Sequence, residues 1–143
     1  MNDKQIEQWA KNAKYFYGED GVLLEMARVG YFFRDKFEVY IHTDDPGNEP
    51  HFHIRDASTR GQDFHTCIKI LSPEYFHHTG KEDVLNSHEK KALVEFLKEK
   101  PTNSKKTAFE SNWDKLVYEW NENNSNVYVD EDMEMPNYMD LNA

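Results

Sequence analysis

At 143 residues the chain is long enough for one domain with its own core and too short for two of ordinary size. Apolar residues make up only 38% of it, but nine Phe, eight Tyr and three Trp are among them, so a few large rings must supply much of the buried area. The formal charge is −10, and no Lys or Arg follows Lys115. This disfavours direct binding to nucleic acid, which relies on cationic side chains at the phosphates, and favours a protein partner that is basic or itself binds nucleic acid.

The first residues, Met1 to Ile6, are polar where a secretory signal needs an apolar stretch, and no apolar run approaches a membrane span. A cytoplasmic, non-membrane protein is expected. Cys67 is the single cysteine, which precludes an internal disulfide and fits a reducing compartment.

From Asn2 to about Tyr17 the stripe Ile6, Trp9, Ala10 and Ala13 predicts an amphipathic helix, ended by Gly18-Glu19-Asp20-Gly21. The pattern then changes to short runs rich in Val, Ile, Phe and Tyr. Strands are predicted over Val29–Phe33, Phe37–His42, His51–Arg55 and Phe64–Ile70, separated by turn-forming segments as in an antiparallel meander. Alternation puts Phe37, Val39, Ile41, Phe52, Ile54, Phe64, Ile68 and Ile70 on one face. Glu38, Tyr40, His42, His51, His53, Arg55, His65, Cys67 and Lys69 fall on the other. Only the first face needs helices over it, so the imidazole face is expected to remain open.

A helix over Ser87–Lys100 starts at an Asn86/Glu89 capping box, stops before Pro101 and carries Ala92, Leu93, Phe96 and Leu97 as its apolar stripe. Phe109, Trp113, Leu116, Val117 and Trp120 predict a last helix over Thr107–Asn123. Residues 124–143 lack helical periodicity and interleave Val127, Tyr128, Val129, Met133, Met135, Tyr138, Met139 and Leu141 with acids, a pattern that favours docking on the chain's own domain. The expected fold is α+β: a four-stranded antiparallel sheet with two to three helices on one face. Residues 1–123 make one domain and residues 124–143 an acidic tail.

His51 and His53 form an H-x-H pair on one strand face, a two-ligand start for zinc or another first-row metal that needs further donors. The candidates are His42, His65 and Cys67. Against a metal stand the lack of C-x-x-C, of H-E-x-x-H (Lys90-Lys91-Ala92 follow His88-Glu89) and of a spaced carboxylate ligand. The plainer reading is a mixed polar sheet face, with no cofactor. Cys67 and His65, two apart on a strand, point in parallel rather than at each other, which makes a poor nucleophile pair. There is no phosphate-binding Gly loop, nucleophile elbow or dinucleotide fingerprint either, so no catalytic residue is assigned. Arg28, Arg34, Arg55 and Arg60 near strand ends read as solvated surface, with a small anionic ligand as the alternative.

Pro50-His51-Phe52-His53-Ile54, with the strand Phe37–His42 and the acidic turn Thr43-Asp44-Asp45 before it, resembles the compact bacterial domain-of-unknown-function family 4160. Its members carry a strand, an acidic turn and then Pro-His-Phe-His. The likeness runs from Phe37 to Trp120, through Glu89-Lys90-Lys91-Ala92-Leu93 and the Trp113–Trp120 helix. The long N-terminal helix, the extended loop around Tyr75–Gly80 and the acidic tail depart from it, as in a distant, phage or mobile-element relative. Family members are often encoded near toxin–antitoxin genes. The resemblance implies a regulatory or neutralising protein rather than a metabolic enzyme, and it carries over no catalytic residue.

The favoured function is non-enzymatic binding of a protein partner, antitoxin-like or as a counter-defence inhibitor. Asp130, Glu131, Asp132, Glu134 and Tyr138 would make the contact. The alternatives are a metal-binding domain or metal-dependent enzyme on the His51/His53 face, and a nucleic-acid mimic whose carboxylates occupy a partner's phosphate groove.

Overall fold

The computed structural model describes residues 15–17, 23–43, 49–76, 83–102, 109–124 and 127–142. Five antiparallel strands follow one another as direct neighbours: β1 (Tyr15–Tyr17), β2 (Leu23–Phe32), β3 (Phe37–His42), β4 (His51–Asp56) and β5 (His65–Lys69). Two helices follow, α1 (Ser87–Lys98) and α2 (Asn112–Asn123), then a 3₁₀ turn at Tyr138–Asp140. The α+β architecture is thus a four-stranded antiparallel meander, β2 to β5, with the short β1 on its β2 edge.

β3 falls on the predicted segment, β4 is one residue longer than predicted and β5 two shorter. Two expectations are corrected. Tyr15–Tyr17 is a strand paired with Leu23–Glu25 rather than the end of a helix, because an aromatic run suits a pleated surface and a partner strand is at hand. Residues 1–14, the rest of that predicted helix, lie outside the described residues. β2 begins at Leu23, six residues before the predicted strand. Leu23 to Arg28 are good helix formers, and pairing with β3 overrides that preference.

The β2–β3 turn is tight. Phe33, Arg34 and Asp35 take φ of 58°, 57° and 61°, and the Lys36 amide donates to the Phe33 carbonyl at 3.1 Å. These left-handed conformations are the ones whose twist matches a hairpin, here without a glycine. β2 also carries a bulge between Arg28 and Gly30.

The apolar sheet face is the core. Phe37, Val39, Ile41, Phe52, Ile54, Ile68 and Ile70 are fully buried there, and Phe64 packs at the margin. α1 covers it with Leu93, Phe96 and Leu97, and α2 with Trp113, Leu116, Val117 and Trp120. α1 starts at the expected capping box: the Asn86 side chain accepts from the Glu89 amide, and Glu89 returns to the Asn86 amide. α2 starts at Ser111 rather than Thr107, because the Ser111 hydroxyl caps the Asp114 amide.

Val129, Tyr138 and Leu141 complete the core from the C-terminal segment. Trp120 Nε1 donates to the Val127 carbonyl at 2.8 Å, and the Asn121 side chain pairs with both the amide and the carbonyl of Val129. The Tyr138 hydroxyl donates to the Lys69 carbonyl at 3.0 Å, and burial pushes its pKa up.

The β4–β5 loop is built around one carboxylate. Asp56 accepts from the amides of Thr59, Gly61 and Phe64 at 2.7, 3.0 and 3.1 Å, and from the Thr59 hydroxyl. Gly61 takes φ of 94°, where a side chain would be strained. Burial alone would raise the Asp56 pKa, but the hydrogen bonds from Thr59, Phe64 and Gly61 lower it to about 2. Because the folded pKa lies below the unfolded one, this carboxylate stabilises the fold fully above about pH 4, and the contribution is lost as pH falls toward about 2. In urea melts, Asp56→Asn is expected to be less stable at pH 7, with the gap to wild type closing between pH 4 and 2; a pH-independent gap would contradict this role.

Candidate metal centre on the imidazole face

The second sheet face collects the side chains that alternation assigns to it. Register sets Tyr40 opposite His53 and His53 opposite Cys67; one row over, Glu38 faces Arg55 and Arg55 faces His65. His53 is therefore central, flanked on both sides by strands that carry polar groups.

That face is not open. His51, His53 and Cys67 are each at most 2% exposed, and Glu38, Tyr40 and Arg55 are buried as well; His42 and His65 are half-buried. This corrects the expectation of a free imidazole surface. Part of the cover comes from the chain after β5. The Phe76 amide donates to the Cys67 carbonyl, and the Phe76 ring lies 4.4 Å from that of His51.

Three donor atoms converge. His53 Nδ1 lies 3.2 Å from His65 Nε2 and 3.2 Å from Cys67 Sγ, and the sulfur lies 4.0 Å from His65 Nε2. The strand neighbours His65 and Cys67 are the widest pair of the triangle, as parallel directions require. The close partner of Cys67 is across the ladder, at His53. That partner follows from the β4–β5 register, which the alternation pattern does not contain.

The His53 ring is held in plane by stacking. His42 lies over it at 4.2 Å and 11°, and Tyr40 at 5.0 Å and 20°. His51 has a separate role: its Nδ1 is 2.7 Å from the Glu49 carbonyl, an acceptor only, so Nδ1 carries the proton. Its ring contacts Phe76 and sits 5.6 Å from Trp120. Of the five candidate ligands, the structure brings together His53, His65 and Cys67, while His42 and His51 pack around them.

Beside this triangle is a partly buried ion cluster. Both oxygens of Glu38 are taken, one by Arg28 Nε and the other by Arg55 Nε at 2.7 Å. The Arg55 guanidinium lies 4.9 Å over the Tyr40 ring. Arg28 and Arg55 thus serve a carboxylate of their own chain, whereas Arg34 and Arg60 are exposed.

The candidate partner-binding residues divide in two. Asp130, Glu131, Asp132 and Glu134 are exposed; Tyr138 is fully buried with its hydroxyl bonded inward, so its ring is no part of the acidic surface. Compared with known protein families, curated proteins and solved structures, the chain shows no significant match to any. Among the described residues, no helix is long and apolar enough to cross a membrane.

Removing Glu38 takes away the carboxylate that Arg55, 8% exposed, shares with Arg28. Glu38→Ala is expected to cost about 3–5 kcal/mol in urea denaturation, and a loss below about 1 kcal/mol would show the cluster to be energetically idle.

Proposed function

We propose that this protein is a metal-binding domain in which His53, His65 and Cys67 hold a zinc or copper(I) ion. The observation that carries the reading is the triangle of 3.2, 3.2 and 4.0 Å edges. A tetrahedral ion with bonds of about 2.0–2.1 Å to nitrogen and about 2.3 Å to sulfur needs edges of about 3.3 Å between nitrogens and about 3.6 Å from nitrogen to sulfur. Shifts of a few tenths of an ångström separate the two triangles. Proton counting supports the same reading. His53 Nδ1 offers one proton or one lone pair, yet it faces both an imidazole nitrogen and a thiol at 3.2 Å. A cation accepts all three lone pairs at once.

The donor set favours soft and borderline ions over magnesium or calcium, which prefer oxygen. The rings of His42 and Tyr40 orient His53, as outer groups commonly do for metal ligands. With a buried sulfur among its ligands, the site serves to hold or sense the ion. Chain purified without a histidine tag and reconstituted with zinc or copper(I) is expected to hold one equivalent by elemental analysis. His53→Ala and Cys67→Ser lose it, and His51→Ala keeps it. Wild-type protein that stays metal-free, with no change in Tm on adding either ion, would falsify the site.

A second reading has its own observation. Asp130, Glu131, Asp132 and Glu134 are exposed along a segment whose Val129, Tyr138 and Leu141 are buried, so a row of carboxylates is presented on an anchored strap. This supports capture of a basic or nucleic-acid-binding protein, as an antitoxin-like or mobile-element counter-defence factor or a nucleic-acid mimic. Changing the four acids to Asn and Gln is expected to leave Tm nearly unchanged, because they are exposed, and to abolish binding of an arginine-rich peptide that wild type binds at low salt. Equal binding by the variant would remove the strap from this role.

A further inference from the structure

The cleft at the outer edge of β2 lies apart from the imidazole triangle. It has a volume of about 610 Å³, within the range of small-molecule sites. Its walls are β2 from Arg28 to Tyr31, the C-terminal end of α1 with Glu99 and Lys100, and the first turn of α2 with Asn112 and Lys115.

The local sequence explains why the cleft forms. Asn112 locks the start of α2 to the end of α1: its amide donates to the Glu99 carbonyl at 2.8 Å and its side chain to the Phe96 carbonyl at 2.8 Å. Lys115, three residues on, shares that helix face. Gly30 lets Phe96 close against the strand, since a Cβ there would meet the ring at 2.8 Å. The bulge at Val29 turns this strand edge beside it.

We propose that this cleft binds a small oxyanion, a carboxylate or a phosphate, between Lys115 and Arg28. Lys115 is half-buried and makes no ion pair among the described residues, and a second cation, Arg28, lines the same cleft. Arg28 is itself only partly neutralised, because the single carboxylate of Glu38 is divided between two guanidiniums. Two half-buried cations lining one cleft, in a chain of net charge −10, offer an anion a positively charged pocket. Lys100, Asp35 and Glu99 are exposed at the margin, where charges are well screened. Burial lowers the Lys115 pKa; Glu119 on its own helix raises it, and Arg28 lowers it by a smaller amount. This site does not depend on the metal centre.

The test is calorimetric titration of the full chain with inorganic phosphate and, separately, citrate, at ionic strength held constant with sodium chloride. Wild type is expected to bind at least one saturably, and the tighter of the two identifies the phosphate or carboxylate class. Lys115→Met, which keeps the buried stem and removes the charge, is expected to weaken binding at least tenfold and to leave Tm equal or higher. Lys91→Met, on the exposed side of α1, is expected to bind as wild type does. No saturable binding of either anion, or equal binding by Lys115→Met, overturns the proposal.

Discussion

The register between β4 and β5 is the constraint on which both faces of this protein depend. It sets Phe52 opposite Ile68 in the core and, one residue along, His53 opposite Cys67 on the reverse. A slip of one residue would drive imidazoles under α1 and α2 and turn isoleucines outward. The burial of Phe52, Ile54 and Ile68 therefore enforces the position of the sulfur against the His53 ring. Asp56 supports the same register from the loop, by gathering the amides of the residues that lead from β4 into β5.

Both faces are buried, and they are buried by different chemistry. On one, apolar side chains leave water and helices cover them. On the other, Glu38 bonds two arginines with one carboxylate, Tyr40 and His42 stack on His53, and His51 donates a hydrogen bond to a carbonyl. Buried polar groups are costly unless partnered, so this second face is specified closely, ring against ring. That specification is what a metal centre needs, because ligands already held near their final positions lose little freedom on binding.

Much of this was legible in the sequence. Alternation alone places His51 and His53 together, assigns every core residue from Phe37 to Ile70, and fixes β3 to the residue. The Asn86–Glu89 box fixes the start of α1. What escaped was set by partners distant in the chain. Leu23 to Arg28 have helical preferences and become strand because β3 lies beside them. Phe109 shares the period of Trp113 yet stands before the Ser111 cap, its ring resting on Tyr118. Period-two patterning says which face Cys67 takes but not which histidine it meets, and the cleft beside Lys115 draws on three elements that no local pattern links. The polar composition of the imidazole face suggested exposure; its mutual pairing explains why it is buried instead.

The most direct measurement is the long-range ¹H–¹⁵N spectrum of the histidine rings in metal-free, full-length protein, before and after one equivalent of zinc or copper(I). If the triangle is a metal centre, His53 coordinates through Nδ1 and His65 through Nε2. The proton of each ring is then fixed on the other nitrogen, while His51 keeps its proton on Nδ1. Spectra in which His53 and His65 are unmoved by either ion would contradict the metal centre at its root.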